Sequence, residues 1–156
     1  MTERAAIDAV SLAPRRGSGY PHPYSIPCAG RERRALGDPF GLSQYGVNLV
    51  TLPPGAWSSQ RHWHSAEDEL IYVLAGHPTL VTDEGRTPLE PGMCAGFPAG
   101  SPNGHHLVND TAASVTYLEV GTRRQDDDVD YPDIDMQVKG RGKGGVYSHK
   151  DGTPYA

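Results

Sequence analysis

The stretch Gly55–Gly76, GAWSSQRHWHSAEDELIYVLAG, constrains this chain more than any other. It carries His62 and His64 two residues apart, then Glu69, then a run of strand-forming residues. Side chains alternate across a strand, so an H-x-H pair sends both imidazoles to one face. They lie about 6.6 Å apart along the backbone, near enough to converge on one ion. Read as a strand, AWSSQRHWH puts Ser58, Gln60, His62 and His64 on one face, with Trp57, Ser59, Arg61 and Trp63 on the other. SAED makes a turn, and Glu69 opens the next strand, where it can lie beside the histidine pair. These spacings predict a metal site inside an antiparallel β-structure.

The run ELIYVLA is apolar on both faces: Ile71 and Val73 on one, Leu70, Tyr72 and Leu74 on the other. Such a strand must be covered on both sides. The interior covers one face; the N-terminal arm, a second subunit, or both must cover the other, and a homodimer is expected. Upstream, VNLVTL is a strand ended by Pro53-Pro54-Gly55. Downstream, PTLVTDEGRTPL reads as a hairpin with Asp83-Glu84-Gly85 at its tip. MCAGF, HHLVN and SVTYLEV follow as further short strands. With 19 Gly, 14 Pro and only 37% hydrophobic residues, the chain suits short strands and tight turns better than helices.

The reading is therefore all-β: a barrel over residues 46–121, an extended N-terminal arm over 1–45 and an irregular C-terminal arm over 122–156. Within the first arm, RERRAL suits a single helical turn. Within the second, RRQDDDVDYPDID reads as a solvated acidic run without the spacing of a calcium loop, and KGRGKGG as a flexible linker.

A net charge of −5 argues against a nucleic-acid or anionic-membrane surface, which needs clustered positive charge. No apolar run approaches the roughly 20 residues that cross a bilayer, and MTERAAIDAV does not resemble a signal peptide, so a cytoplasmic protein is expected. Cys28 and Cys94 are expected to be reduced, with Cys94 a small buried residue in its strand. No Ser/His/Asp triad, catalytic cysteine motif or phosphate-binding loop is evident.

A second stretch, Gly92–Asn109, reads GMCAGFPAGSPNGHHLVN and supplies a further imidazole. Alternation groups His105 with Leu107 and Asn109, and His106 with Val108, and a bulge would exchange the faces. Together the two stretches resemble the motifs of the cupin superfamily. Gly55, His62, His64, Glu69 and Gly76 keep the spacing of its first motif, apart from one extra residue before His62. Gly92, Pro98, Gly100, His105 and Asn109 keep the second, apart from two extra residues before His105. The resemblance covers roughly 47–121. It implies a jelly-roll-like barrel and a metal held by His62, His64, Glu69 and His105, the H-x3-N spacing favouring His105 over His106.

Three neutral imidazoles and one carboxylate around a divalent ion leave a net charge of +1. In octahedral geometry two positions stay open, so an anionic or chelating small molecule is the natural ligand. The donor set suits Fe, Mn, Ni, Cu or Zn alike. Gln60, on the histidine face, and Asn109 are the candidate pocket residues; His22, His77 and His149 lie outside the set. The resemblance implies a metal-dependent enzyme of dioxygenase, decarboxylase, isomerase or lyase type acting on a small oxygenated or anionic molecule. The alternatives are a non-catalytic cupin that binds or senses an anion or sugar, and a metal-free structural barrel. No general base independent of the ligand set can be picked from the sequence.

Overall fold

The computed structural model describes residues 5–156. In chain order its strands are β1 (Arg15–Arg16), β2 (Glu32–Ala35), β3 (Tyr45–Leu52), β4 (Trp63–His64) and β5 (Glu69–Ala75). There follow β6 (Thr79–Thr82), β7 (Gly85–Pro88), β8 (Cys94–Phe97), β9 (His106–Val108) and β10 (Val115–Thr122). The C-terminal arm adds β11 (Val129–Tyr131), β12 (Met136–Val138) and β13 (Tyr147–Ser148). Helical structure among the described residues is confined to three-residue 3-10 turns, and no helix is long and apolar enough to cross a membrane.

One antiparallel sheet has the order β1-β2-β3-β10-β5-β8. Two smaller sheets, β7-β6-β9 and β13-β12-β11-β4, are linked by the single bridges Trp57–Val108 and His62–His105. Val50, Leu52, Val73, Val115 and Tyr117 from the large sheet meet Leu107 and Leu80 from the smaller ones, and these form the core. This is an all-β jelly-roll. Glu69, Ile71 and Val73 alternate inward along β5, and their partners in β10 set the register Glu119–Ile71 and Gly121–Glu69. The polar positions Glu69 and Glu119 therefore open a hydrophilic end onto an otherwise apolar interior.

Several local expectations change. RERRAL is strand β2, not a helical turn, because the free edge of β3 offers it backbone partners and the register pairs Arg33 with Val50. Val50 is buried, so Arg33 on the same face is carried inward. Only Trp63–His64 of AWSSQRHWH is regular strand, although Ser58, Gln60 and His64 are buried as the alternation requires. Serine side chains interrupt the ladder there: Ser58 Oγ accepts from the Leu107 amide at 2.9 Å. Cys94 is exposed, since its side chain falls on the outer face of the large sheet.

The arms take part in the sheets. Tyr20 and Tyr24 from the first pack on a second apolar cluster, Val129, Tyr131, Met136 and Val138, from the other. The N-terminal strands extend the sheet beyond β3 and do not cover the outer face of β5. Leu70, Tyr72 and Leu74 consequently remain 44%, 41% and 44% exposed.

Candidate metal centre

The bridge between His62 and His105 brings two imidazoles together directly: their backbones exchange hydrogen bonds at 3.2 and 2.9 Å. The ring of His62 lies 4.9 Å from that of His105 and 5.0 Å from that of His64. All three Nε2 atoms point at one oxygen, Glu69 Oε2, from 2.6 Å (His105), 3.5 Å (His64) and 3.7 Å (His62). His62, Glu69 and His105 form one group of converging ligand atoms; His64 joins it through Nε2 and a second group, with Glu67 and Asp127, through Nδ1.

The remaining nitrogens fix what these atoms can do. His62 Nδ1 donates to the Gln60 carbonyl at 2.9 Å, and His64 Nδ1 donates to Asp127 Oδ2 at 2.6 Å. In the neutral rings the Nε2 lone pairs of both histidines therefore face a carboxylate oxygen, an arrangement that calls for a cation between them. The donor set of three imidazoles and one carboxylate fits a divalent ion.

The electrostatics follow from burial and pairing. Burial pushes the pKa of His62 down to about 3 against the pull of Glu69. Burial acts the same way on His64, but hydrogen bonds to Asp127 and Glu69 outweigh it and raise the pKa to about 9. Glu69, despite its own burial, is held well below the ordinary carboxylate range by His105 and His64.

Asp127 is the residue that sequence reasoning missed. It belongs to the expected solvated acidic run, yet its side chain is fully buried, accepting from His64 and from the Ala66 amide at 3.0 Å. The available signal was the alternation Asp127, Val129, Tyr131, an inward row leading into β11. Glu67, in the same turn, accepts from Arg141 Nη1 at 2.9 Å, so the Gly-rich segment is tied to the site.

The competing histidine is accounted for. His106 Nδ1 donates to the Ser59 carbonyl at 2.8 Å, and its ring packs edge-on to Trp57, away from Glu69. His105 stacks on Phe97 at 3.6 Å. Neither expected pocket residue reaches the cavity with its side chain. Gln60 Nε2 donates to the Tyr24 carbonyl and anchors the arm. Asn109 is wholly buried, donating to the Leu52 and Ala113 carbonyls and organising the turn to Thr111. A short polar side chain before a turn does this locally.

A cavity of about 350 Å³ opens beside His62, His64 and Glu69. Glu119 lies on its wall, with Oε1 accepting from Asn48 at 3.1 Å and Oε2 3.7 Å from Arg31. Tyr117, two residues away on the same face, is 1% exposed, and its hydroxyl has no hydrogen-bond partner.

The family model of the Cupin domain matches residues 48–121. A crystal structure at 2.30 Å of a sugar phosphate isomerase from a cupin superfamily, from Silicibacter pomeroyi, is 48% identical. That similarity covers 97% of this chain and 96% of the other with a TM-score of 0.92. The chain belongs to the cupin superfamily. A proposed sugar phosphate isomerase from Acidithiobacillus ferrooxidans is 29% identical over 91% of this cupin and 90% of its own chain, with a TM-score of 0.76. A predicted oxalate decarboxylase from Thermotoga maritima, 19% identical over 75% of this chain and 97% of its own with a TM-score of 0.59, shares the fold. None of the curated proteins compared with the chain matches it. Asp127, Arg31, Arg33 and Arg141 lie outside the matched Cupin segment.

Proposed function

We propose that this cupin is a metal-dependent isomerase that moves a proton between adjacent carbons of a small sugar-like carbonyl compound. The class is that named for its 48%-identical relative, sugar phosphates. One observation carries the reading: Glu119 and Tyr117 face the same interior as His62, Glu69 and His105. Aldose–ketose exchange requires a base for a carbon-bound proton and groups that stabilise charge developing on two neighbouring oxygens.

A divalent ion held by His62, His64, Glu69 and His105 would supply Lewis-acid polarisation of a substrate oxygen. Glu119 accepts the proton from one carbon and returns it to the adjacent carbon, while the hydroxyl proton passes from one of the two neighbouring substrate oxygens to the other, so that aldose and ketose balance. Asn48 and Arg31 orient its carboxylate for this. Burial raises the pKa of Tyr117 and keeps its hydroxyl protonated, so it donates a hydrogen bond to a substrate oxygen. The arrangement supports isomerisation over simple capture of a ligand because a binder needs no proton carrier beside its ion.

The test is proton NMR of a panel of aldose and ketose phosphates in deuterium oxide, with protein loaded separately with manganese, iron, nickel, copper or zinc. The expected result is interconversion with deuterium entering at the carbon next to the carbonyl. Glu119→Gln should lower the rate by about 10²–10⁴-fold while retaining metal. Absence of exchange with every loaded form, or full turnover after chelation, would refute the reading.

A further inference from the structure

We propose that Arg15, Arg31 and Arg33, carried by the N-terminal arm, form a subsite for a phosphate monoester on the wall of the cavity beside the metal centre. It rests on the proposed function only for the identity of the rest of the ligand.

Five arginines line this one cavity: Arg15, Arg16, Arg31, Arg33 and Arg141. Two of them are neutralised. Arg16 pairs with Glu32 at 2.5 Å and Arg141 with Glu67 at 2.9 Å. Arg31 has a single long contact, 3.7 Å to Glu119, and its Nε is buried without a hydrogen-bond partner. Arg15 and Arg33 make no ion pair among the described residues. The Ser18 hydroxyl, on the same wall, is also buried and unpartnered. Burial, and the neighbouring Arg31 charge, hold the pKa of Arg33 below its ordinary value.

Arg31 and Arg33 are partly buried and share the single nearby counter-charge of Glu119, with the exposed Arg15 beside them, an arrangement that an added anion would stabilise. The same cavity carries two carboxylates, Glu69 and Glu119, against these three unneutralised arginines, and stays positive in a chain with 19 acidic and 14 basic residues. The charge distribution is therefore made for a ligand.

The number of donors selects its chemistry. A carboxylate has one charge and two oxygens, which one guanidinium satisfies. A phosphate monoester carries about −1.5 to −2 charges and three acceptor oxygens, and guanidinium groups bind it bidentately. Three arginines and a serine hydroxyl match the phosphate. Their place beside the ion would hold the phosphorylated end while the carbonyl end reaches Glu119 and the histidines.

The test separates this subsite from the catalytic reading by using binding alone. Inorganic phosphate is titrated calorimetrically into the chelator-treated 156-residue chain and into its His62→Ala variant, so that direct phosphate–metal contact does not enter. Both proteins are expected to bind phosphate. Arg33→Gln should weaken binding by about tenfold or more, and Arg15→Gln by a smaller but measurable factor. Both variants should take up metal as the parent does and keep its far-ultraviolet circular dichroism. If Arg33→Gln does not fold, Arg15→Gln decides, because Arg15 is exposed on a two-residue strand. Failure of the unmodified chain to bind phosphate at about 10 mM, or parental affinity in the folded variants, would overturn the proposal. Loss of isomerase activity alone would not bear on it.

Discussion

Replacing Asp127 by asparagine isolates the contribution of the carboxylate behind His64. Each oxygen of Asp127 serves a different donor: Oδ2 the His64 Nδ1–H at 2.6 Å, and Oδ1 the Ala66 amide at 3.0 Å. Asparagine has the same shape but only one acceptor oxygen. Its NH2 group must then face one of two buried donors, at a cost of about 1–3 kcal/mol. If it faces His64, the ring must turn or change tautomer, and Nε2 loses the lone pair aimed at the ion. If it faces Ala66, the remaining bond to His64 becomes neutral and about half as strong.

Either outcome weakens the candidate ligand His64 through its support, and loss of such a partner lowers metal affinity by about 10–100-fold. Competition with a chromophoric chelator for zinc or manganese measures the affinity, and urea unfolding of the metal-free protein measures the stability. Asp126→Asn is the control, because Asp126 is exposed and pairs only with Arg124. An Asp127→Asn protein with metal affinity within about twofold of the parent and unchanged stability would refute the assignment of Asp127 as the support of a metal-binding histidine.

Other predictions follow from the same geometry. In metal-free protein, the His64 proton between Asp127 and Glu69 stabilises the fold fully below pH 6.5, and this contribution is lost as pH rises toward about 9. His62 acts oppositely, withdrawing stability as pH falls from 6.5 toward about 3. The urea midpoint of chelated protein should therefore fall between pH 6.5 and 9, less so in His64→Gln; equal profiles would contradict the pairing. Gly76→Ala should destabilise by about 2 kcal/mol or more. The residue has φ +79°, and an added Cβ would lie 2.7 Å from the Ser114 carbonyl oxygen and 2.9 Å from Val115 Cα. An unchanged unfolding midpoint would count against this. The exposed row Leu70, Tyr72 and Leu74 predicts self-association through the outer face of β5. Sedimentation should give a dimer that Tyr72→Glu converts to monomer, and a monomeric parent protein would remove the idea.

Regular alternation made β3, β5, the β6–β7 hairpin and β10 legible from the residues, since burial on one face leaves a period of two. The grouping of His62, His64 and Glu69 was legible for the same reason, and the H-x3-N spacing singled out His105 from His106. Where side chains replace backbone partners, the pattern failed. Ser58 satisfies the Leu107 amide, so AWSSQRHWH keeps its facing but loses most of its ladder. Composition misled at the acidic run. DDDVDY looks solvated as a block, but only alternate members face outward, and Asp127 is carried inward with Val129 and Tyr131. RERRAL has helical propensity, yet the free edge of β3 decides its state, and a long-range partner is invisible in a local window.

The division between the Cupin segment and the arms has a chemical meaning. The candidate ligands His62, His64, Glu69 and His105 all lie within residues 48–121, as do Tyr117 and Glu119. The charges that surround them do not: Arg15, Arg31 and Arg33 precede this segment, and Asp127 and Arg141 follow it. Tyr20 from the first arm packs on Tyr131 and Tyr147 from the second, so the two arms share one aromatic cluster. His62 lies 5.8 Å from Tyr131, at the edge of that aromatic group. The arms thus close one wall of the cavity and supply its positive charge from elements that pack as one unit. On this reading, changes at Arg15 and Arg33 alter which anion is accepted, Asp127 reaches the metal centre from its arm through His64, and changes between 48 and 121 alter what is done to the ligand.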